Sequence, residues 1–142
     1  GVELKSTLRM NLHTGKADEK IELASLKTVA GFLNTNGGTL IVGVSDDGEA
    51  LGLEPDNFAS EDKMALHLVS LIRGRLGSGC LTEVHPRFED HGEHRVLIVD
   101  CTPASTPTFV SDGKEKRFYV RTGPSTAELS GTDMQNYISG RF

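Results

Sequence analysis

One apolar stretch organises the pattern of hydrophobic and polar positions along this chain. Residues 40–44 (Leu-Ile-Val-Gly-Val) contain no polar position, and such a run is typical of a central strand that is covered on both faces. Gly37-Gly38 precede the strand and Asp46-Asp47-Gly48 follow it, and both segments predict turns. We therefore expect this strand to hold the residues at its two ends rigidly.

The same pattern predicts one further strand and three helices. Alternating apolar and polar positions over 2–10 predict a half-buried strand with a polar outer face. Apolar residues at helical spacing predict a helix over 18–33. A second helix is expected from Ser60 to near Gly77, and a short third one after Ser130.

Turn signals in the second half of the chain predict two antiparallel hairpins. Asp90-His91-Gly92 separates the strand-like segments of the first, and Asp112-Gly113 separates those of the second. The elements do not alternate regularly enough for a doubly wound fold. Their order favours an α+β fold with a mixed, mostly antiparallel sheet and about three helices.

Composition limits the size and class of the protein. The 142 residues are 37% hydrophobic and 25% charged, as in one globular domain. A net charge of −5 argues mildly against a protein that coats nucleic acid, although a local basic patch is compatible with it. Cys80 and Cys101 lack metal-binding spacing and are expected to be reduced thiols.

The chain shows no signal peptide and no apolar run long enough to span a bilayer, so we expect a cytoplasmic protein without membrane contact. It begins with Gly1, directly before strand-like residues. Residues 1–142 are therefore expected to be a single domain excised from a longer protein.

Nucleotide binding is the first chemistry to consider, because Asp46-Asp47 follow an apolar strand as the magnesium-binding carboxylates of ATPases do. No G-x-x-x-x-G-K-[ST] loop is present, and Gly37-Gly38 precede a strand instead of opening a helix. A helix-to-strand turn is favoured for these glycines. ATP is not expected as a ligand.

A two-carboxylate metal site is the second possibility. Glu3 and Asp46 would lie close together if their strands are neighbours, and such a pair can hold Mg²⁺ or Mn²⁺. The alternative is that Asp46-Asp47-Gly48 is only a turn in which Asp side chains bond to their own backbone. Spacing alone favours the turn.

A basic cluster is the third possibility. Lys5, Arg9 and Arg121 are its main members, and Lys16 and Arg117 are further candidates. Arg121 leads into a predicted turn that contains Ser125 and Thr126. Backbone amides and hydroxyl groups in such a turn can contact phosphates.

Residues of the last strand extend this cluster. Arg117, Tyr119 and Arg121 share one face, which would allow Tyr119 to stack on a base. The alternative is a solvated strand face with ion pairs to Glu3 or Glu128. Composition supports both interpretations equally.

Four motifs occur in order along nearly the whole chain: Glu3-Leu4-Lys5-Ser6, residues 32–40, residues 43–48 with Gly52, and residues 118–123 with Ser125-Thr126. Together they resemble the Schlafen AlbA-2 family, which is also described as a divergent AAA-type or DNA-binding domain family. Within these motifs we expect structural roles in turns for Asn34, Gly37, Gly38, Gly43 and Gly48.

The resemblance implies an Alba-like α+β domain that binds DNA or RNA, pairs as a homodimer and forms part of a bacterial regulator. In animal Schlafen proteins the related lobe cleaves RNA with a metal-assisted carboxylate triad, and Glu3 and Asp46 match two of its members. The third would lie five positions before Glu3, outside the sequence. Ser45 stands where many relatives carry Asp.

Three hypotheses follow. The leading one is a nucleic-acid-binding module of a bacterial regulatory protein that requires no cofactor. The second is a Mg²⁺- or Mn²⁺-dependent endoribonuclease that uses Glu3 and Asp46. The third is a dimerisation or effector-sensing domain that does not bind nucleic acid.

Overall fold

The computed structural model describes all residues, 1–142, and contains nine strands and three α-helices. In chain order they are β1 (Val2–Lys5), β2 (Met10–Asn11), β3 (Lys16–Ala17), α1 (Glu19–Asn34), β4 (Gly38–Val42), α2 (Glu61–Arg75), β5 (Val84–His91), β6 (His94–Cys101), β7 (Phe109–Asp112), β8 (Glu115–Thr122), β9 (Ser125–Leu129) and α3 (Gly131–Arg141).

The strands form three sheets. A four-stranded sheet has the order β1-β4-β6-β5, in which β1 runs parallel to β4 and the other pairs are antiparallel. A three-stranded antiparallel sheet has the order β7-β8-β9, and β2 and β3 form a short ribbon. The predicted α+β class with a mixed, mostly antiparallel sheet is confirmed.

Helix α1 packs against both larger sheets. Its apolar stripe, with Leu26, Val29 and Leu33, joins the main core, to which β4, β6 and α2 also contribute. Ala30 packs instead with Val110 and Tyr119 of the three-stranded sheet. Because one helix serves both sheets, its position fixes β8 relative to β1 and β4.

The apolar run occupies a central strand, as predicted. Leu40 and Val42 of β4 are fully buried in the main core. On the opposite face Ile41 packs with the small cluster around Val96 and Ile98 and is itself half-buried. That second face is therefore covered only in part.

The first strand is shorter than predicted because a distant carboxylate accepts hydrogen bonds from the backbone amides that follow it. Strand β1 ends at Lys5, and Asp56, which is 2% exposed, accepts hydrogen bonds from the amides of Leu8 (2.6 Å), Arg9 (2.9 Å) and Met10 (3.1 Å). These amides would otherwise pair within a sheet. The alternation in the sequence contains no sign of a partner 48 residues away.

Other boundaries agree with the sequence more closely. Asp18 and Ser60 cap α1 and α2 with their side chains, and both predicted hairpins form. The expected turn over 122–126 contains only Gly123-Pro124, and the following residues form β9. No helix has the length and apolar character that a membrane span requires.

The turn between α1 and β4 requires glycine. Gly37 has a φ of +76°, and a Cβ there would lie 2.6 Å from the carbonyl oxygen of Cys101. A side chain would meet both a disfavoured backbone conformation and a fixed backbone atom.

We predict that Asp56→Ala lowers the free energy of unfolding by about 3 kcal/mol, because three amides lose a charged acceptor. Urea denaturation followed by circular dichroism measures this. Asp46→Ala, at an exposed position, is the control and should change stability by less than about 0.5 kcal/mol. Equal midpoints for the two variants would contradict the role of Asp56.

Gly37→Ala is expected to destabilise the protein by about 2 kcal/mol or more, because strain and a backbone clash add together. Gly79→Ala is the matched control, since its added Cβ would meet nothing within 4 Å and its φ is not positive. Thermal unfolding of both variants tests this. The prediction fails if Gly37→Ala melts at the wild-type temperature.

Candidate functional site

The end of α1 is tied to the three-stranded sheet by the side chain of Asn34. This amide is fully buried and donates to the carbonyl oxygens of Thr108 (2.8 Å) and Tyr119 (2.9 Å). Its oxygen accepts from the amide of Thr108 at 2.9 Å. These three hydrogen bonds hold strand β8 and the residue before β7 beside the end of the helix.

The neighbouring contacts bring Arg121 across α1 towards β1. The amide of Arg121 donates to Thr35 Oγ1 (2.9 Å), and its Nη1 donates to Glu3 Oε1 and Thr126 Oγ1, each at 3.0 Å. A Cβ at Gly31 would lie 3.4 Å from this side chain, so the glycine lets Arg121 lie close to the helix. The sequence-predicted residues Glu3, Arg121 and Thr126 therefore meet.

The Arg121 side chain is only 7% exposed, and that of Glu3 is 26% exposed. The guanidinium carbon lies 4.8 Å from the centroid of the Phe32 ring, while Nε and Nη2 have no hydrogen-bond partner. Glu3 is the one carboxylate that forms a salt bridge with Arg121. Removing the partner of such a buried cation leaves an uncompensated charge and strongly destabilises the fold.

A cleft of about 460 Å³ opens beside this ion pair. We name it the β1–α1 cleft after two of the elements that form it. Lysine amines, hydroxyl groups and one carboxylate surround it, and its lining residues are Glu3, Lys5, Ala24, Lys27, Thr28, Tyr119, Pro124, Ser125 and Thr126.

Of the predicted basic cluster, Lys5 lines the β1–α1 cleft, whereas Arg9, Lys16, Arg117 and Arg121 are not among its lining residues. Because β1 ends early, Arg9 turns away, donates to the carbonyl oxygens of Asp56 and Asn57, and stacks 3.6 Å from the Phe58 ring centroid. Arg117 forms ion pairs with carboxylates that include Glu128. The ion pairs to Glu3 and Glu128, which were the alternative to a free basic face, are thus present at Arg121 and Arg117.

Lys27 and Thr28 also line the cleft, and the sequence did not single them out. Lys27 lies beside the apolar stripe of α1, where a lysine usually faces solvent. Its amine instead lies 5.4 Å from the ring centroid of Tyr119. Only the packing of α1 against β8 reveals this position.

Tyr119 is less accessible than base stacking requires. It is 6% exposed and packs against Ala30 and Val110. Burial, with a smaller effect of the Glu128 carboxylate, raises the pKa of the phenol above its usual value. The neutral hydroxyl can serve as a hydrogen-bond donor, but the ring is not free to stack on a base in this conformation.

Comparison with known proteins assigns the family. The profile of the family Schlafen, AlbA_2 matches residues 1–130. The chain belongs to this family. The expected membership is therefore confirmed, and no curated protein matches the chain.

Solved structures share the fold of this AlbA_2 domain. A crystal structure of a Corynebacterium diphtheriae protein aligns with a TM-score of 0.67 and 21% identity, covering 99% of this chain and 24% of that protein. The solution structure of the N-terminal domain of a RecG-related protein from Nitrosomonas europaea aligns with a TM-score of 0.56 and 19% identity, covering 92% of this chain and 82% of that domain. The domain spans about a quarter of the Corynebacterium protein.

The two carboxylates expected at a metal site come from different points along the paired strands β1 and β4, because Glu3 pairs with Leu40, six residues before Asp46. Asp46 is exposed in a turn in which Ser45 Oγ bonds to the carboxylate of Asp47 and accepts from the amide of Glu49. No group of three or more His, Cys, Asp or Glu side chains is arranged to hold a metal ion. A cation at Glu3 would share this carboxylate with the guanidinium of Arg121, which binds its Oε1 atom.

We predict that Glu3→Gln lowers the free energy of unfolding of the AlbA_2 domain by about 2 kcal/mol or more, because Arg121 becomes a buried, uncompensated charge. Glu128→Gln is the matched control, since it removes the carboxylate from an exposed pair with Arg117 and should cost no more than about 1 kcal/mol.

Urea denaturation in a chelating buffer measures both variants. A loss of stability without metal indicates that Glu3 acts through Arg121. A Glu3→Gln variant as stable as Glu128→Gln would contradict this role.

Proposed function

We propose that this AlbA_2 domain binds nucleic acid, DNA or RNA, by holding backbone phosphates in the β1–α1 cleft. One observation carries the proposal: Lys5 and Lys27 come from different elements to one cleft, and neither forms a salt bridge. Ser125 and Thr126 add hydroxyl groups at the same place. Amines and hydroxyl groups are the usual partners of phosphate oxygens.

The state of the arginines strengthens this assignment. Arg87, Arg95 and Arg117 each pair with at least two carboxylates and have little net charge to offer a ligand. Glu3 in turn compensates Arg121, so the net positive charge of the cleft comes from Lys5 and Lys27. A chain of net charge −5 thus has a locally cationic cleft.

The residues have different roles in this proposal. Lys5 and Lys27 supply the charge, while Ser125 and Thr126 donate hydrogen bonds to phosphate oxygens. Arg121, buried behind Glu3 and Thr126, positions their side chains and does not reach the ligand.

The family and the similar fold of a RecG-related protein's N-terminal domain agree with a module that acts on nucleic acid. The further expectations of a homodimer, a regulatory protein and a cytoplasmic location rest on the sequence and the family resemblance. No contact favours the endoribonuclease, because the Glu3 carboxylate is held by Arg121.

We expect Lys5→Gln/Lys27→Gln to weaken binding of labelled single-stranded and duplex DNA and RNA in fluorescence anisotropy. Each lost phosphate contact should reduce the slope of log affinity against log salt by about 1. The slope of the double variant should therefore be smaller by about 2. Glutamine keeps most of the side-chain length and removes the positive charge.

The control variant, Lys16→Gln/Lys63→Gln, removes the same charge from exposed positions outside the cleft. Circular dichroism confirms that both variants fold. If the two double variants bind equally tightly, the β1–α1 cleft is not the binding site. If the wild-type domain binds none of the ligands at low salt, the proposed function is wrong.

A further inference from the structure

A second cationic cleft lies at the C-terminal end of α2. It has a volume of about 280 Å³, and its wall includes Arg73, Gly74, Arg75 and Gly77 at the end of the helix and Ser111 and Lys116 of the three-stranded sheet. Three cations line it and no carboxylate does. We name it the α2 cleft, and neither the sequence motifs nor the family assigned it a role.

We propose that the α2 cleft binds a second set of phosphates of the same polynucleotide that the β1–α1 cleft holds. This inference rests on the proposed function and extends it, because it sets the path and the minimum length of the ligand. The bound strand would follow α1 from one cleft to the other.

The side chains of the α2 cleft are available to an anion. The side chains of Arg73 and Lys116 are exposed and form neither a salt bridge nor a hydrogen bond within the protein. Nη1 of Arg75 donates to the carbonyl oxygen of Ser111 at 3.1 Å, which holds the guanidinium at the wall. Nothing lies within 4 Å of an added Cβ at Gly74 or Gly77, so a ligand backbone can approach closely.

Stabilisation of the helix end explains only part of this cluster. Arg73 and Arg75 lie in the last turn of α2, where cations interact favourably with the helix dipole. That role does not account for Lys116, which comes from β8. The negative end of the helix is equivalent to about half a unit charge, so the three cations leave the cleft positive.

One face of α1 connects the two clefts. Lys20, Leu23, Ala24, Lys27 and Thr28 have the spacing of a single helical face. The last three line the β1–α1 cleft, and the first two line a depression that also includes Gly74, Arg75 and Ser111 of the α2 cleft. The clefts are therefore neighbours along the helix.

The span can be estimated from helix geometry. Lys20 and Lys27 are separated by about 10 Å along α1, given a rise of 1.5 Å per residue. Phosphates on one strand of B-DNA advance by about 3.4 Å along the axis, so at least about three nucleotides are needed between the lysines. Glu19 and Asp112 line the connecting depression, which concentrates the phosphate contacts at its two ends.

The test uses the 142-residue chain and single-stranded oligonucleotides of three and twelve nucleotides. Amide shifts in two-dimensional NMR spectra should appear at Gly74, Gly77 and Ser111 with the twelve-mer. Arg73→Gln/Lys116→Gln should weaken twelve-mer binding about tenfold or more and reduce the salt slope by about 2. Binding of the trimer, which is too short to fill both clefts, should be weakened by only one of the two pairs of substitutions.

The outcomes separate this inference from the proposed function. One outcome is that Lys5→Gln/Lys27→Gln weakens binding of the twelve-mer, whereas Arg73→Gln/Lys116→Gln binds it as tightly as the control Lys16→Gln/Lys63→Gln does. In that case the α2 cleft is excluded and the proposed function stands. If only the α2 substitutions weaken binding, the α2 cleft binds phosphates and the β1–α1 site is wrong. If the wild-type chain binds neither oligonucleotide and shows no shifts, both are overturned.

Discussion

The arrangement of this domain depends on the buried side-chain amide of Asn34. An amide without partners in the core would cost about 1–3 kcal/mol, so its bonds to the backbone of Thr108 and Tyr119 fix the position of β8 along α1. The adjacent bond from the Arg121 amide to Thr35 continues the same alignment. With β8 held there, the side chain of Arg121 reaches β1 and the cleft can form.

The last helix completes the polar end of α1. The hydroxyl of Tyr137 donates to the carbonyl oxygen of Asn34 at 2.5 Å, and Arg141 donates to the carbonyl oxygens of Leu33 and Thr35. A helix leaves its last carbonyl groups without partners, and a cation there also interacts favourably with the dipole. Although the family match ends at residue 130, α3 therefore satisfies the same helix end whose side chains hold β8.

Local sequence signals predicted correctly the helix starts and hairpin turns, which interactions between nearby residues determine. The caps at Asp18 and Ser60 and the tight turns of both hairpins act within a few residues. The strand predicted over 2–10 is interrupted after Lys5, because Asp56, far along the chain, accepts hydrogen bonds from the amides of Leu8, Arg9 and Met10. The same cause removed Arg9 from the predicted basic cluster, since the alternation that placed it beside Lys5 ends with β1.

Net charge is a poor guide to the ligands of this domain, because ionic partners are distributed unevenly. The salt-bridged arginines use many of the carboxylates locally, whereas Lys5, Lys27, Arg73 and Lys116 meet at clefts without such partners. At 0.1 M salt the Debye length is about 10 Å, so distant carboxylates hardly oppose a phosphate that contacts these amines. At lower salt the repulsion from these carboxylates reaches further and offsets part of the attraction between the phosphate and the amines. The cations within contact distance, and not the total charge, therefore determine which anions the domain can hold.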